Sequence, residues 1–392
     1  MTDPRTQEAG STVGVEEEFL LVEPDSGRPA AAAAAVLKRA ATGLPSAPDA
    51  ALHAELHRSQ VEAASGRCTR LSGLRTQLWR ARGQLAAAAR DEGVWLVSTG
   101  TPIIGAETVP PPPLTSGERF DRIGRRYAGI VTDYQSCGCH VHIGLADRET
   151  AVAVVNHVRP WIPTLVALAS NSPFDHGTDT GYASWRLVEQ SRFPGSGVPP
   201  WFPSAEAYEE ELARQIRCGV LVDARMTFWL VRPSPHLPTI EFRAADASSS
   251  VEGAVLQAAL SRALVRTALA ELALGREAPN VPATVLTAAV WSAARYGLSG
   301  PAVHPFAHQQ APAIDLVRHL VRLVSPALEE TGDLAEVRCL VATTLRSGTG
   351  ADAQRRAAVG GPRHVVSMLA ERTQPGQTAL REGTGERGGG TR

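Results

Sequence analysis

The 392-residue sequence predicts an α+β fold, a mainly antiparallel sheet flanked by helices and followed by a mostly helical C-terminal part. Three observations predict it. Strand-like stretches are interspersed with long helical ones, without the regular alternation of βαβ winding. From about residue 251 onward nearly every window has helical character. Three strands far apart in sequence each carry one apolar face and one face with ionisable residues at i and i+2, as in an antiparallel sheet with one polar side.

The first strand is "GVEEEFLLVEP", Gly14 to Pro24. Side chains alternate across a strand, so Glu16 and Glu18 share one face while Glu17 joins Val15 and Phe19 on the other. By the strand rise the two carboxylates lie roughly 7 Å apart and repel. Either that face is solvated or something positive lies between them. "RPAAAAAAVLKRAA" reads as a helix and "TGLPSAPDA" as turns. "HAELHRSQVEAAS" reads as a second extended stretch holding Glu55 and Glu62. These two would face opposite ways in a regular strand, so a turn or bulge must intervene for both to serve one site. "LSGLRTQLWRARGQLAAAARDEG" has helical spacing, with Leu74, Leu78 and Leu85 near one face and Gly93 as a stop. "VWLVSTGTP" reads as a buried strand and "VPPPPL" as a stiff polyproline loop.

"CGCHVHIGL" is the next strand, with His140 and His142 on one face and Cys137, Cys139, Val141 and Ile143 on the other. Its two cysteines and two histidines therefore point to opposite sides and cannot surround one zinc ion. "DRETAVAVVNHVRPWIPTLVALAS" is helical, broken or kinked by Pro160 and Pro163. A loop-rich insert runs from "NSPFDHGTDTGYASWR" through "FPGSGVPPWF", a length that points to function or disorder. "VLVDARMTFWLVRPS" and "PTIEFRAAD" read as two more strands. In the second, Thr239, Glu241 and Arg243 share a face, opposite Ile240, Phe242 and Ala244. Singly, each ionisable pair fits a solvated face. Together, Glu/Glu, His/His and Glu/Arg are the residue types that bind metals and phosphates.

Composition narrows the function classes. The chain is 43% hydrophobic, enough for a large core in one big domain or two. Its net charge of -1 gives no global field to recruit nucleic acid or a membrane surface. No apolar run is long enough to span a bilayer, and the N-terminus lacks a basic segment followed by an apolar one. Five scattered cysteines do not form a disulfide framework, which fits a cytoplasmic protein. Lys38 is the only lysine. That removes P-loop, kinase-type and Schiff-base chemistry and leaves phosphate binding to arginine, metal and backbone N–H groups.

In order and spacing, "GVEEEF", "CGCHVHIGL", "NSPFDHGTDTGYASWR", "FPGSGVPPWF" and "PTIEFRAAD" resemble the carboxylate–amine ligases called glutamate–cysteine ligase type 2. The resemblance runs from about residue 12 to 370. It implies a glutamine-synthetase-like catalytic fold, a curved antiparallel sheet with helices behind it, in a single catalytic domain over 12–373. Residues 1–11 are then a flexible start and 374–392 a disordered tail. It further implies ATP and Mg²⁺ or Mn²⁺, which activate a carboxylate, typically the γ-carboxylate of L-glutamate, for attack by an amine or amino acid.

Position by position, the resemblance makes Glu16, Glu18 and Glu241 metal ligands. His140 falls at the metal- and phosphate-proximal histidine, with His142 beside it. Glu55 and Glu62 become further acidic ligands or the groups facing the amine. Arg243 holds a phosphate, and Arg186 and Arg192 on the insert face a substrate carboxylate or phosphate. One departure stands out. Where the family has "GTHP" after the strand near residue 98, this chain has "STGTPII" without a histidine.

The chemistry agrees with that expectation. A carboxylate is a poor acyl donor and must first become an acyl phosphate. Phosphoryl transfer from ATP needs several negative charges neutralised at close range, by hard cations on carboxylate oxygens and by an arginine fork. A carboxylate near the incoming ammonium, Glu55 or Glu62, can accept its proton. Two other readings compete: a metal-dependent amide hydrolase using the same face to activate water, and a catalytically silent small-molecule-binding protein. The helical C-terminal half also offers surface for a homodimer, which nothing in the sequence decides.

Overall fold

β1 (Val13–Val22) forms where the apolar residues of "GVEEEFLLV" alternate with polar ones, and it becomes the centre of a seven-stranded sheet. The computed structural model describes residues 9–43, 47, 49–105 and 114–374. The strands that follow β1 are β2 (Ala51–Ala54), β3 (Gln60–Ala64), β4 (Trp95–Val97) and β5 (Gly138–Gly144). Next come β6 (Phe174–Asp175) and β7 (Thr178–Asp179), a small separate hairpin, then β8 (Val231–Pro233) and β9 (Thr239–Asp246). The main sheet runs β2-β3-β1-β5-β9-β8, with β4 also beside β1, and every pairing is antiparallel.

The apolar face of this sheet makes the core. Val13, Val15, Cys139, Val141, Ile143, Ile240 and Phe242 pack with the helices Leu71–Asp91, Arg148–Val158, Ile162–Ala169 and Val251–Ala273. The last of these is the central helix, buried along most of its length and started by Ser250, whose hydroxyl accepts from Gly253 N–H. Glu17 also points to this side, as β1's alternation requires. Its carboxylate is buried against Arg82 of the helix Leu71–Asp91, with Nη2–Oε1 at 2.6 Å and Nε–Oε2 at 3.0 Å.

Several elements differ from expectation, each for a local reason. The stretch 53–65 is two strands joined by a turn, not one, so Glu55 sits in the connection and Glu62 on β3. The expected strand 220–234 shrinks to β8, because Asp223 accepts from Arg225 N–H and starts a 3₁₀ turn at Ala224–Met226. The loop-rich insert contains the helix Trp185–Ser191, and beyond it lies a helix at Ala205–Arg217 started by Ser204. The helical C-terminal half is interrupted by a hairpin, β10 (Pro301–His304) with β11 (Gln309–Pro312).

Pro160 and Pro163 break the helix at 148–169 into two pieces around a 3₁₀ turn. Against the expectation that no apolar run is long enough to span a bilayer, among the described residues this one helical run is, by length and composition, and it lies largely buried in the core. Ala9–Ser11 are described, and Gly10 N–H donates to Gly144 O. Residues 1–8, most of the expected polyproline loop, part of the turn segment 42–50 and the tail from 375 lie outside the described residues.

Candidate active site

Cross-strand register assembles the site. On the polar face of the sheet, Glu62 of β3 stands opposite Glu18 of β1. One row along, Glu16 stands opposite His140 of β5. In the next row His142 opposes Glu241 of β9, and Glu241 opposes Arg232 of β8. Residues adjacent across strands are close enough to share a ligand. Thus the i and i+2 pairs that looked separate in sequence become one lattice. Glu55 joins it from the turn before β3, where its Oε2 accepts from Leu56 N–H at 3.1 Å.

β9 carries one irregularity. Cys139 pairs with Ala245 and Val141 with Phe242, so Arg243 and Ala244 together face the single residue His140. Such a bulge re-aims a side chain. Here it leaves the Arg243 guanidinium on the site face bonded to Glu241, and it returns Asp246 to the side where Arg186 lies, 3.9 Å away.

Of these glutamate, aspartate, histidine and arginine residues, all but His142 and Asp246 line a cavity of about 310 Å³. Its carboxylates divide into two groups with opposite electrostatics. Burial works against ionising Glu16, but His140 and His142 hold its carboxyl below the usual range. Burial likewise opposes Glu241, and the charges of Arg232 and Arg243 override it and hold Glu241 well below. On the other side, burial and the Glu55 charge push Glu18 up to about 8. Burial, then the charges of Glu55, Glu16 and Glu18, raise Glu62 well above its ordinary value, and burial raises Glu55. Crowded carboxylates either share protons or bind a cation.

The donor set fits a hard divalent cation. Glu16, His140 and Glu241 form one group of ligand atoms lying within 4.8 Å of one another, and Glu18, Glu62 and His140 form a second. Burial and the Arg243 charge push His140 down to about 4, so its ring is neutral and its lone pair available. His140 Nδ1 is buried 3.4 Å from Glu16 Oε2 with no hydrogen-bond partner. His142 Nε2 is equally orphaned, 3.3 Å from Glu16 Oε1, while its Nδ1 contacts Thr239 Oγ1 at 2.9 Å. Glu55 belongs to neither group.

Arg186 reaches the cavity from the helix Trp185–Ser191 and is buried, with Nη2 donating to Arg243 O at 3.3 Å. Its Nε and Nη1 have no hydrogen-bond partner. Asp246 beside it accepts from Asn171 N–H, Ser172 Oγ and Ser184 Oγ. Arg192 is not brought in. It lies just past the same helix, bonded to Asp133 and Glu189 away from the cavity.

Sequence reading missed Arg232, which is buried and donates to both Glu241 oxygens, at 2.8 and 3.3 Å. It also missed Tyr134, Ser136 and Gln190 in the lining. Only the strand pairing marks Arg232, and the local sequence does not print it.

Gly138 is the close-approach residue. A Cβ there would meet Arg186 Nη2 at 2.5 Å and His140 Nε2 at 2.9 Å, while Gly138 N–H already donates to Glu18 Oε2. Gly138→Ala is expected to lower kcat/KM about 10²-fold, the scale of an ångström misplacement at a reacting centre. Unchanged kinetics would show that Arg186 and His140 need not hold these positions.

The sequence model of glutamate-cysteine ligase family 2 matches residues 12–371. A Saccharopolyspora erythraea chain provisionally named glutamate–cysteine ligase 2-2 is 57% identical over 369 residues, 94% of each chain. A Salinispora arenicola chain provisionally named glutamate–cysteine ligase 2 is 42% identical over 372 residues, 94% of this chain and 96% of that one. Among solved structures, glutamate–cysteine ligase from Francisella tularensis in complex with AMP is similar at TM-score 0.67 and 13% identity, covering 94% of this chain and 91% of that one. A bifunctional glutathione synthetase from Pasteurella multocida gives TM-score 0.67 at 16% identity, covering 93% of this chain and 52% of that one. These likenesses support the glutamine-synthetase-like fold that the resemblance implied. The chain belongs to glutamate–cysteine ligase family 2, a ligase by class.

Proposed function

We propose that this protein joins a carboxylate, the γ-carboxylate of L-glutamate, to an amine at the expense of ATP through an acyl phosphate. One observation carries the reading: two carboxylate–imidazole groups share His140, with the Arg243 guanidinium in the same cavity. The names of the relatives and the AMP in the Francisella structure support it. Glu16, His140 and Glu241 would hold one Mg²⁺ or Mn²⁺, and Glu18 and Glu62 would contribute to another; the neutral His140 ring has one lone pair and serves one of the two. The cations, when bound, neutralise phosphate charge.

Arg243 orients the transferred phosphoryl group, and Arg186 holds a substrate carboxylate or phosphate. The donor carboxylate attacks the γ-phosphorus, the bond to the β-phosphate oxygen breaks, and ADP leaves. Glu55, outside both cation groups, accepts a proton from the acceptor ammonium. The amine then attacks the acyl carbon and inorganic phosphate departs with the bonding pair. Net, ATP, carboxylate and ammonium give amide, ADP, phosphate and a proton. All five cysteines are free, in accord with the cytoplasmic setting we assign.

The test is phosphate release from ATP with Mg²⁺ and L-glutamate, screened against a panel of amines that includes cysteine. Amine-dependent release with a γ-glutamyl product by mass is the expected result. Amide cleavage by the same protein without ATP would favour the hydrolase. Silence across donors and amines, with small-molecule binding intact, would favour the binding protein.

A further inference from the structure

The cavity has a second wall of a different chemistry. Phe193 and Phe228 stack at 4.2 Å between centroids, and Tyr134 meets both edge-on, at 4.8 and 6.1 Å. Ile123, Met226 and Leu56 extend this surface, and all six line the cavity. They come from four separate segments, and all but Leu56 are buried. Polar groups border this wall, where Arg232 donates to Thr227 O and Oγ1 between Met226 and Phe228. Arg232 and Arg243 bond to Glu241, and Arg232 also donates to Arg225 O, which places the cationic end of the cavity around Glu241. The apolar wall continues to Leu56, which directly follows Glu55 and packs against the aromatic cluster.

Resting on the ligase reading, we infer that the acceptor amine carries an apolar side chain of branched-aliphatic or aromatic size, seated on the Tyr134–Phe193–Phe228 wall with its ammonium toward Glu55. Leu56 and the ring cluster give an amine delivered to Glu55 an apolar surface along which its substituent can lie. A polyphosphate belongs at the arginine end. A methyl or mercaptomethyl group covers little of a three-ring wall and leaves water on the remainder. A larger apolar group displaces that water, and each added methylene in such a pocket is worth about 10-fold or more in kcat/KM.

The experiment uses the full chain with ATP, Mg²⁺ and L-glutamate, and compares alanine, cysteine, leucine and phenylalanine as acceptors. Leucine or phenylalanine is expected to exceed alanine and cysteine at least 10-fold in kcat/KM. Phe228→Leu, and Leu56→Ala at a half-buried position where folding is least at risk, should raise the acceptor KM and leave the ATP KM unchanged. Alanine or cysteine turned over as well as the larger acceptors would overturn the inference and leave the ligase intact. Variants that raise the ATP KM alone would give the wall to adenine and overturn it too. No amine-dependent phosphate release with any acceptor would remove the ligase reading, and this inference with it.

Discussion

Glu16→Gln is expected to lower metal-dependent turnover by about 10²–10⁴-fold, with the far-ultraviolet circular dichroism unchanged. Glutamine keeps the size and shape of glutamate and removes the charge. In the proposed site Glu16 faces both histidines, its two oxygens lying 3.4 Å from His140 Nδ1 and 3.3 Å from His142 Nε2. It also falls in one ligand group with His140 and Glu241. A cation at a phosphoryl-transfer centre supplies several kcal/mol of charge stabilisation, and each 1.4 kcal/mol is about tenfold in rate. The fold has little stake in the change, because Glu16 lies partly open on the polar face of β1 and contributes nothing to the core beneath. Phosphate release at wild-type rates across a magnesium titration would take Glu16 out of the cation set.

The second large effect lies on the opposite face of the same strand. Arg82→Ala is expected to destabilise the protein by about 3–5 kcal/mol, read as a lower urea midpoint. Arg82 and Glu17 are both almost fully buried, in a two-pronged ion pair, and Arg82 Nη2 also donates to Ser248 O at 2.8 Å. Truncating the arginine strands a carboxylate in a low-dielectric interior without a partner. The double variant Arg82→Met with Glu17→Leu should recover most of the loss, since replacing both charges by packed apolar groups is often neutral or better. A single-variant cost below about 1 kcal/mol would mean that water or a rearranged side chain reaches Glu17.

These two predictions show what a one-dimensional reading captures. Alternation alone separates Glu16 and Glu18 from Glu17, and β1 keeps that division. The antiparallel sheet and the helical C-terminal part were legible for the same reason, since periodicity is local. Three things were not local. Arg232 meets Glu241 only through the pairing of β8 with β9, and the segment before β8 reads as strand although Asp223 starts a turn there. Asp246 falls on the apolar face by simple alternation, and the extra residue in β9 reverses that. Arg192 resembles Arg186 in sequence but lies past the end of the helix that carries Arg186 inward. The apolar wall gathers six residues from four segments, so no window of sequence contains it.

The Asp246 carboxylate, fixed by Asn171, Ser172 and Ser184, has a consequence for how such a protein diversifies. It pins both shoulders of the segment that leads to Gln190 and Phe193 onto the end of a sheet strand. Residues between the pinned points can be exchanged, lengthened or reshaped while the strands bearing the carboxylates stay in register. Change in that loop is thereby uncoupled from the register of the sheet, so the chain can vary there without disturbing the spacing of its carboxylates.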